Sequence, residues 1–150
     1  MAILSRITFE AVKWRARRGL NADADSLSGV KQDARQRGVR GETFAYWYLR
    51  RHGYVFVTRN YVPPEIKGEI DLIGYDGETL VFVEVRTRAA LPELSVAAEK
   101  QHLVGRTARR FLMERHLKEC PVRFDVVAIE EFSGHAPVVR LHKNVFNPRM

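Results

Sequence analysis

Two short segments, Gly68-Glu69-Ile70-Asp71-Leu72-Ile73 and Val81-Phe82-Val83-Glu84-Val85-Arg86, flank the dipeptide Asp76-Gly77. Asp-Gly between two β-rich runs is a strong signal for a two-residue hairpin loop. With Asp76-Gly77 as that loop, Tyr75 faces Glu78, Asp71 faces Phe82 and Glu69 faces Glu84. Strand alternation then puts Glu69, Asp71, Phe82, Glu84 and Arg86 on one face. Ile70, Leu72, Val81, Val83 and Val85 share the other, which is uniformly apolar and must pack on a core. In this register Asp71 and Glu84 are diagonal neighbours, roughly 7–8 Å apart at the backbone. Buried carboxylates are costly unless something pairs with them, and a divalent metal is the usual reason to gather several. The pair therefore points to a metal-dependent site. The alternative is the solvated polar face of an ordinary hairpin.

Composition narrows what surrounds this hairpin. A chain of 150 residues, 45% hydrophobic, can build one domain with a real core. No apolar run approaches a membrane span, and no continuous apolar stretch near the start suggests a secretory signal. The single cysteine, Cys120, excludes an internal disulfide and a Cys-rich zinc site. Cytoplasm is the expected compartment. The net charge is +7, and residues 1–40 carry most of the excess, with nine Lys/Arg against four Asp/Glu. Such a balance favours a nucleic acid or an anionic membrane surface as partner.

The chain divides into a basic extension, residues 1–37, and a domain, residues 38–150. Residues 2–18 have amphipathic helical spacing, with Ile3, Ile7, Ala11 and Trp14 in one stripe. Asn21 to Gly29 has linker composition. This extension is read either as a tail with a transient helix, as a docked or nucleic-acid-contacting helix, or as a membrane-surface helix. In the domain, residues 40–52 have helical spacing, with Phe44, Ala45, Tyr48 and Leu49 facing inward and Gly53 as the stop. A strand is expected over Tyr54 to Tyr61, broken by Val62-Pro63-Pro64. After the hairpin come a helix over Ala97 to Lys118, a strand over Arg123 to Ile129 and a short strand over Val138 to Leu141. The order is α-β-β-β-α-β with a final strand.

Glu42 precedes Ala45 and Leu49 by three and seven residues, which turns it toward the apolar side of its helix. A carboxylate near a helix N-terminus is favoured by the dipole alone. Beside Asp71 and Glu84 it becomes a candidate third ligand of a metal.

Asp71 followed by Glu84-Val85-Arg86 resembles the PD-(D/E)XK nuclease signature. More closely, the chain resembles the YraN family of endonuclease-like bacterial proteins. The matching pieces are Gly41-Glu42 with Ala45, Tyr48 and Leu49; Gly53-Tyr54; Arg59-Asn60; Gly68 to Ile73; Val81 to Arg88; Lys100-Gln101; Arg123 to Val127; and Asn144 with Phe146. Together they span about residues 38–147. The resemblance implies an α/β fold of restriction-endonuclease type, with a central mixed sheet flanked by helices, akin to archaeal Holliday-junction resolvases. It implies Mg²⁺ or Mn²⁺ held by Asp71, Glu84 and Glu42, and DNA rather than RNA as partner. A homodimer is implied by analogy with the resolvases.

Two departures from the pattern matter. The usual lysine is replaced by Arg86, which stays protonated and cannot act as a general base. It can hold the scissile phosphate and stabilise the charge of the transition state. A bound metal can itself lower the pKa of water. Lys100, on the following helix, is the candidate substitute if its side chain reaches the site; otherwise it is a solvated helix residue. The second departure is the connection Ala89 to Ser95, which lacks the glycine usual in the family.

Asp125, mid-strand, is read as a structural partner of Arg123 or as an outer acid of the site. His52, His102, His116, His135 and His142 show no metal-ligand spacing. Arg106, Arg109 and Arg110 form a basic stretch, either for phosphate or merely solvated. Tyr46 and Trp47 are read as packing residues or as stacking surfaces for an unpaired base.

The expected function is a metal-dependent endonuclease acting on structured or branched DNA, with Asp71, Glu84, Glu42, Arg86 and Lys100 as its catalytic set. The alternative is a non-catalytic nucleic-acid-binding module of the same fold. A third reading, an interaction or membrane-surface adaptor, would depend on residues 1–37.

Overall fold

The computed structural model describes residues 41–88, 98–130 and 136–147. The expectations for the basic extension, the 89–95 connection and His135 lie outside them. The elements are a helix α1 (41–51) and β1 (Val55–Tyr61), then β2 (Ile70–Asp76) and β3 (Thr79–Arg88). They are followed by α2 (Ala98–Glu114), β4 (Val122–Glu130) and β5 (Val138–His142). The strands form one mixed five-stranded sheet in the order β1-β2-β3-β4-β5. Strands β1, β2 and β3 are an antiparallel meander. Helix α2 is the crossover from β3 to its neighbour β4, the kind of connection that parallel strands require. This is the α/β order expected, and it is consistent with a restriction-endonuclease-like core.

Packing of the Cα trace separates two compact units. One holds α1, residues 85–88 of β3, residues 127–130 of β4 and residues 136–140. The other holds residues 53–84, 98–126 and 141–147.

In the first unit α1 buries Phe44, Ala45 and Leu49 to 4% exposure or less, the inward stripe that helical spacing predicts, while Tyr48 is half-buried. His52 N–H donates to the Leu49 carbonyl at 2.9 Å. Gly53, at φ +93°, then takes the left-handed turn that stops the helix. Tyr46 and Trp47 pack edge to face at 5.0 Å.

In the second unit the core is built from Ile70, Ile73, Leu80, Phe82, Ala108, Phe111 and Phe124. Phe82 packs edge-on against Phe111 of α2 and stacks on Phe124 of β4. One face of the hairpin therefore meets α2. The opposite face is closed as well, since Leu72, Val81 and Val83 are each 1% exposed or less.

The hairpin register differs from expectation by two residues. Asp76 pairs with Thr79, Tyr75 with Leu80, Ile73 with Phe82 and Leu72 with Val83. The loop is Gly77-Glu78, not Asp76-Gly77. Gly77 has φ +62° and Glu78 has no positive φ, the pattern of a type II′ turn with glycine first. Asp76 stays in the strand. A shift of two preserves every face assignment and changes every partner. Carried one residue beyond Leu72–Val83, the register sets Asp71 across from Glu84 rather than diagonal to it. The expected pairings of Asp71 with Phe82 and of Glu69 with Glu84 do not occur.

Helix α2 ends at Glu114, short of the expected Lys118. The Leu117 N–H donates to the Leu112 carbonyl at 2.9 Å and the His116 N–H to that of Met113 at 3.2 Å. This is a Schellman cap. His116 occupies its left-handed position at φ +55°, where glycine would be usual, so the sequence carries no glycine to announce the stop. His116→Gly should relieve that strain and stabilise the protein by about 1 kcal/mol. The check is a higher urea midpoint with an unchanged denaturant slope.

Candidate functional site

Asp71 and Glu84 reach the site because their strands place them on the face that also carries Ile73 and Phe82. Below them the face is core; at their level it opens. A cleft of about 220 Å³ lies there, between the hairpin and the first half of α2. Glu69, Asp71, Glu84, Lys100 and Phe146 are among its lining residues. This volume is below the roughly 300–1,000 Å³ of sites for drug-sized ligands, so the cleft suits a small polar group rather than a large cofactor. Gly68, just before β2, lies tight against α2: a Cβ there would strike the buried Thr107 hydroxyl and lie 3.3 Å from Leu103.

Two carboxylates facing each other across strands repel. Among the described residues a lysine is set against Glu84. Lys100 Nζ, from the first turn of α2, forms an ion pair with Glu84 Oε1. The Glu84 side chain is 16% exposed, with Oε2 out of solvent, and that of Lys100 is 52% exposed. Lys100 thus meets Glu84 at the cleft lining. Asp71 is half-buried, and Glu69 is exposed outside the strand.

Glu42 and Arg86 belong to the other compact unit, and both are half-buried. Glu42 lies in the first described turn of α1, and Arg86 lies two residues beyond Glu84 along β3. Arg106 and Arg109 are exposed on α2, Arg109 two and a half turns from Lys100 and so on the opposite side of the helix. Arg109 therefore faces away from the cleft. Arg110 bonds Glu114 at 2.9 Å and lies 3.4 Å from Glu65. His52 Nδ1 lies 2.7 Å from the Tyr48 carbonyl, and His102 and His116 are exposed.

Among the described residues no three His, Cys, Asp or Glu side chains form a ready-made metal cage. The donors in the cleft are carboxylate oxygens. That set fits Mg²⁺ or Mn²⁺, which bind through one or two carboxylates and complete their shell with water and substrate phosphate. It does not fit a structural zinc site, which needs four protein ligands dominated by Cys and His.

Behind the cleft lies a polar network that the sequence shows only in part. Asp125 is 1% exposed. It accepts two 2.8 Å bonds from Arg123, one at 3.3 Å from the Tyr54 hydroxyl and one at 2.9 Å from the Asn144 N–H. The expected Arg123 partnership is present. Arg123 also bonds Asp76 at 2.8 Å, and Lys143 bonds Asp76 at 2.9 Å. Its bonds to Asp125 hold the Arg123 guanidinium firmly protonated. Burial, with Asp125 and Asp76 nearby, pushes the Tyr54 phenol well above its ordinary value and keeps it a donor. Asn144, at φ +55°, turns its N–H onto Asp125, and the next N–H, of Val145, donates to the Phe124 carbonyl at 2.9 Å. These bonds pin the segment whose Phe146 stacks on Phe124 and lines the cleft. Tyr54, Asp76 and Lys143 carry no sequence signal for this role, because their partners are far away in the chain.

Asp76 gives a pH test of the network. Hydrogen bonds from Arg123 and then Lys143 hold its carboxyl below the ordinary 3.8. Between the folded and unfolded values the unfolded chain binds more protons. The stabilisation is therefore complete above the unfolded value and is lost as pH falls through the lower, folded one. Asp76→Asn should be less stable at neutral pH and should lose stability less steeply than wild type below about pH 4. Urea midpoints measured against pH check this.

No helix among the described residues is long and apolar enough to cross a membrane. A family model described as "Uncharacterised protein family UPF0102" matches residues 41–129. A UPF0102 protein of Koribacter versatilis is 42% identical over 96 residues, covering 61% of this chain and 66% of that relative. A UPF0102 protein of Geobacter metallireducens is 38% identical over 113 residues, covering 73% of this chain and 90% of the relative. One of Geobacter sulfurreducens is 39% identical over 113 residues, covering 73% and 87%. The matched span takes in α1, the acidic hairpin, Lys100 and the Arg123–Asp125 pair, and on this ground the chain belongs to the UPF0102 family, the YraN family that its motifs resemble.

Proposed function

We propose that this protein is a metal-dependent endonuclease that hydrolyses phosphodiester bonds in structured or branched DNA. The observation that carries the reading is the set of Asp71, Glu84 and Lys100 around one small cleft. Asp71 and Glu84 would hold Mg²⁺ or Mn²⁺. When bound, the ion supplies a Lewis acid at the phosphoryl group and acidifies water. The chain does the rest. Asp71 and Glu84 would fix the place of the ion, and the cleft around them is small. Lys100 brings positive charge to its mouth. Water adds to phosphorus and loses a proton to solvent as the P–O bond breaks in line, the leaving oxygen takes up a proton from solvent, and the cations at the site neutralise the charge that develops. The part given to Glu42, as a third carboxylate, rests on its helical spacing and on the resemblance, and that given to Arg86, as the phosphate-holding cation, on the resemblance and on its permanent charge. The homodimer rests on analogy with the resolvases, and the cytoplasmic setting on the sequence composition.

A non-catalytic DNA-binding module is the second reading, favoured by Arg86 at the place where such nucleases carry lysine. Cleavage of labelled DNA in Mg²⁺ or Mn²⁺, set beside binding in Ca²⁺, separates the two. Turnover supports the enzyme, and binding without turnover supports the module.

A further inference from the structure

We infer that Lys100 is the resident counter-cation of the Asp71–Glu84 pair, and that a divalent ion takes Glu84 from it and frees the ammonium for the anionic substrate. The inference rests on the metal-dependent reading above. Two observations lead to it. Lys100 lies in the first turn of α2, where the helix dipole favours Glu99 and disfavours a cation. Its position is therefore set by Glu84, not by its own helix. The lysine side chain is half exposed on a flexible four-carbon stem, so it can swing away at little cost, whereas the Glu84 side chain is largely enclosed.

The exchange makes the metal compete with the chain's own lysine. Mn²⁺ binding to the full chain, without DNA, is followed by the electron paramagnetic resonance signal of the free ion. Lys100→Met should bind Mn²⁺ about two- to fivefold more tightly than wild type, the scale set by a half-exposed ion pair. Lys100→Arg should restore wild-type affinity. Arg109→Met, which removes the same charge from the opposite side of α2, should leave affinity unchanged. Equal or weaker binding by Lys100→Met overturns the exchange while leaving the acid site standing. Equal tightening by Arg109→Met also overturns it, because general charge then explains the effect. No Mn²⁺ binding by either wild type or Lys100→Met brings down the metal site itself, and the exchange with it.

Discussion

Asp125→Ala is expected to destabilise the protein by about 3 kcal/mol, the lower end of what breaking a buried ion pair costs. The carboxylate is 1% exposed and takes four hydrogen bonds. Its loss leaves the Tyr54 hydroxyl and the Asn144 N–H without that acceptor. Arg123 keeps Asp76, which is why the lower end applies. Against a total stability of roughly 5–15 kcal/mol this is a large share. Urea unfolding measures it. The double variant with Arg123→Met should cost less than the two single changes added, because the stranded charge goes with its partner. A loss below about 1 kcal/mol from Asp125→Ala would mean that the network does not hold the segment bearing Phe146.

The second large effect is on chemistry. Asp71→Ala and Glu84→Ala should each lower metal-dependent cleavage at least ~100-fold, the scale of removing one preorganised transition-state contact. The folds should survive, because each change also removes one of two facing like charges. Glu84→Ala further releases Lys100 to solvent. Single-turnover cleavage in Mn²⁺, with circular dichroism as the check on folding, reads both effects.

How much of this was legible in the sequence follows from how local each signal is. Strand alternation needs only neighbours along the chain, so the acidic face was correct even with the wrong loop. The pairing of Asp71 with Glu84 depends on which two residues make the turn. Both Asp76-Gly77 and Gly77-Glu78 are compatible with a hairpin there. Tertiary partners settle it: Asp76 remains in its strand, held by Arg123 and Lys143. The end of α2 was hidden for a related reason, since His116 does the work of a glycine while Leu117 packs against the core. The Lys100–Glu84 pair needed the folded crossover, because nothing in their spacing of 16 residues fixes the distance between strand and helix. The Arg123–Asp125 pair was legible because the two residues are two apart on one strand and so share a face.

The measurement that bears most directly on the central claim is cleavage of a panel of labelled DNAs in Mg²⁺ and in Mn²⁺. The panel holds single strands, duplex, flaps and four-way junctions, with wild type, Asp71→Ala and Glu84→Ala compared side by side. The account predicts metal-dependent cutting of a branched or structured member by wild type, and its loss in both variants. Binding by all three proteins with no cutting anywhere on the panel would contradict it and leave the acid pair without a catalytic role.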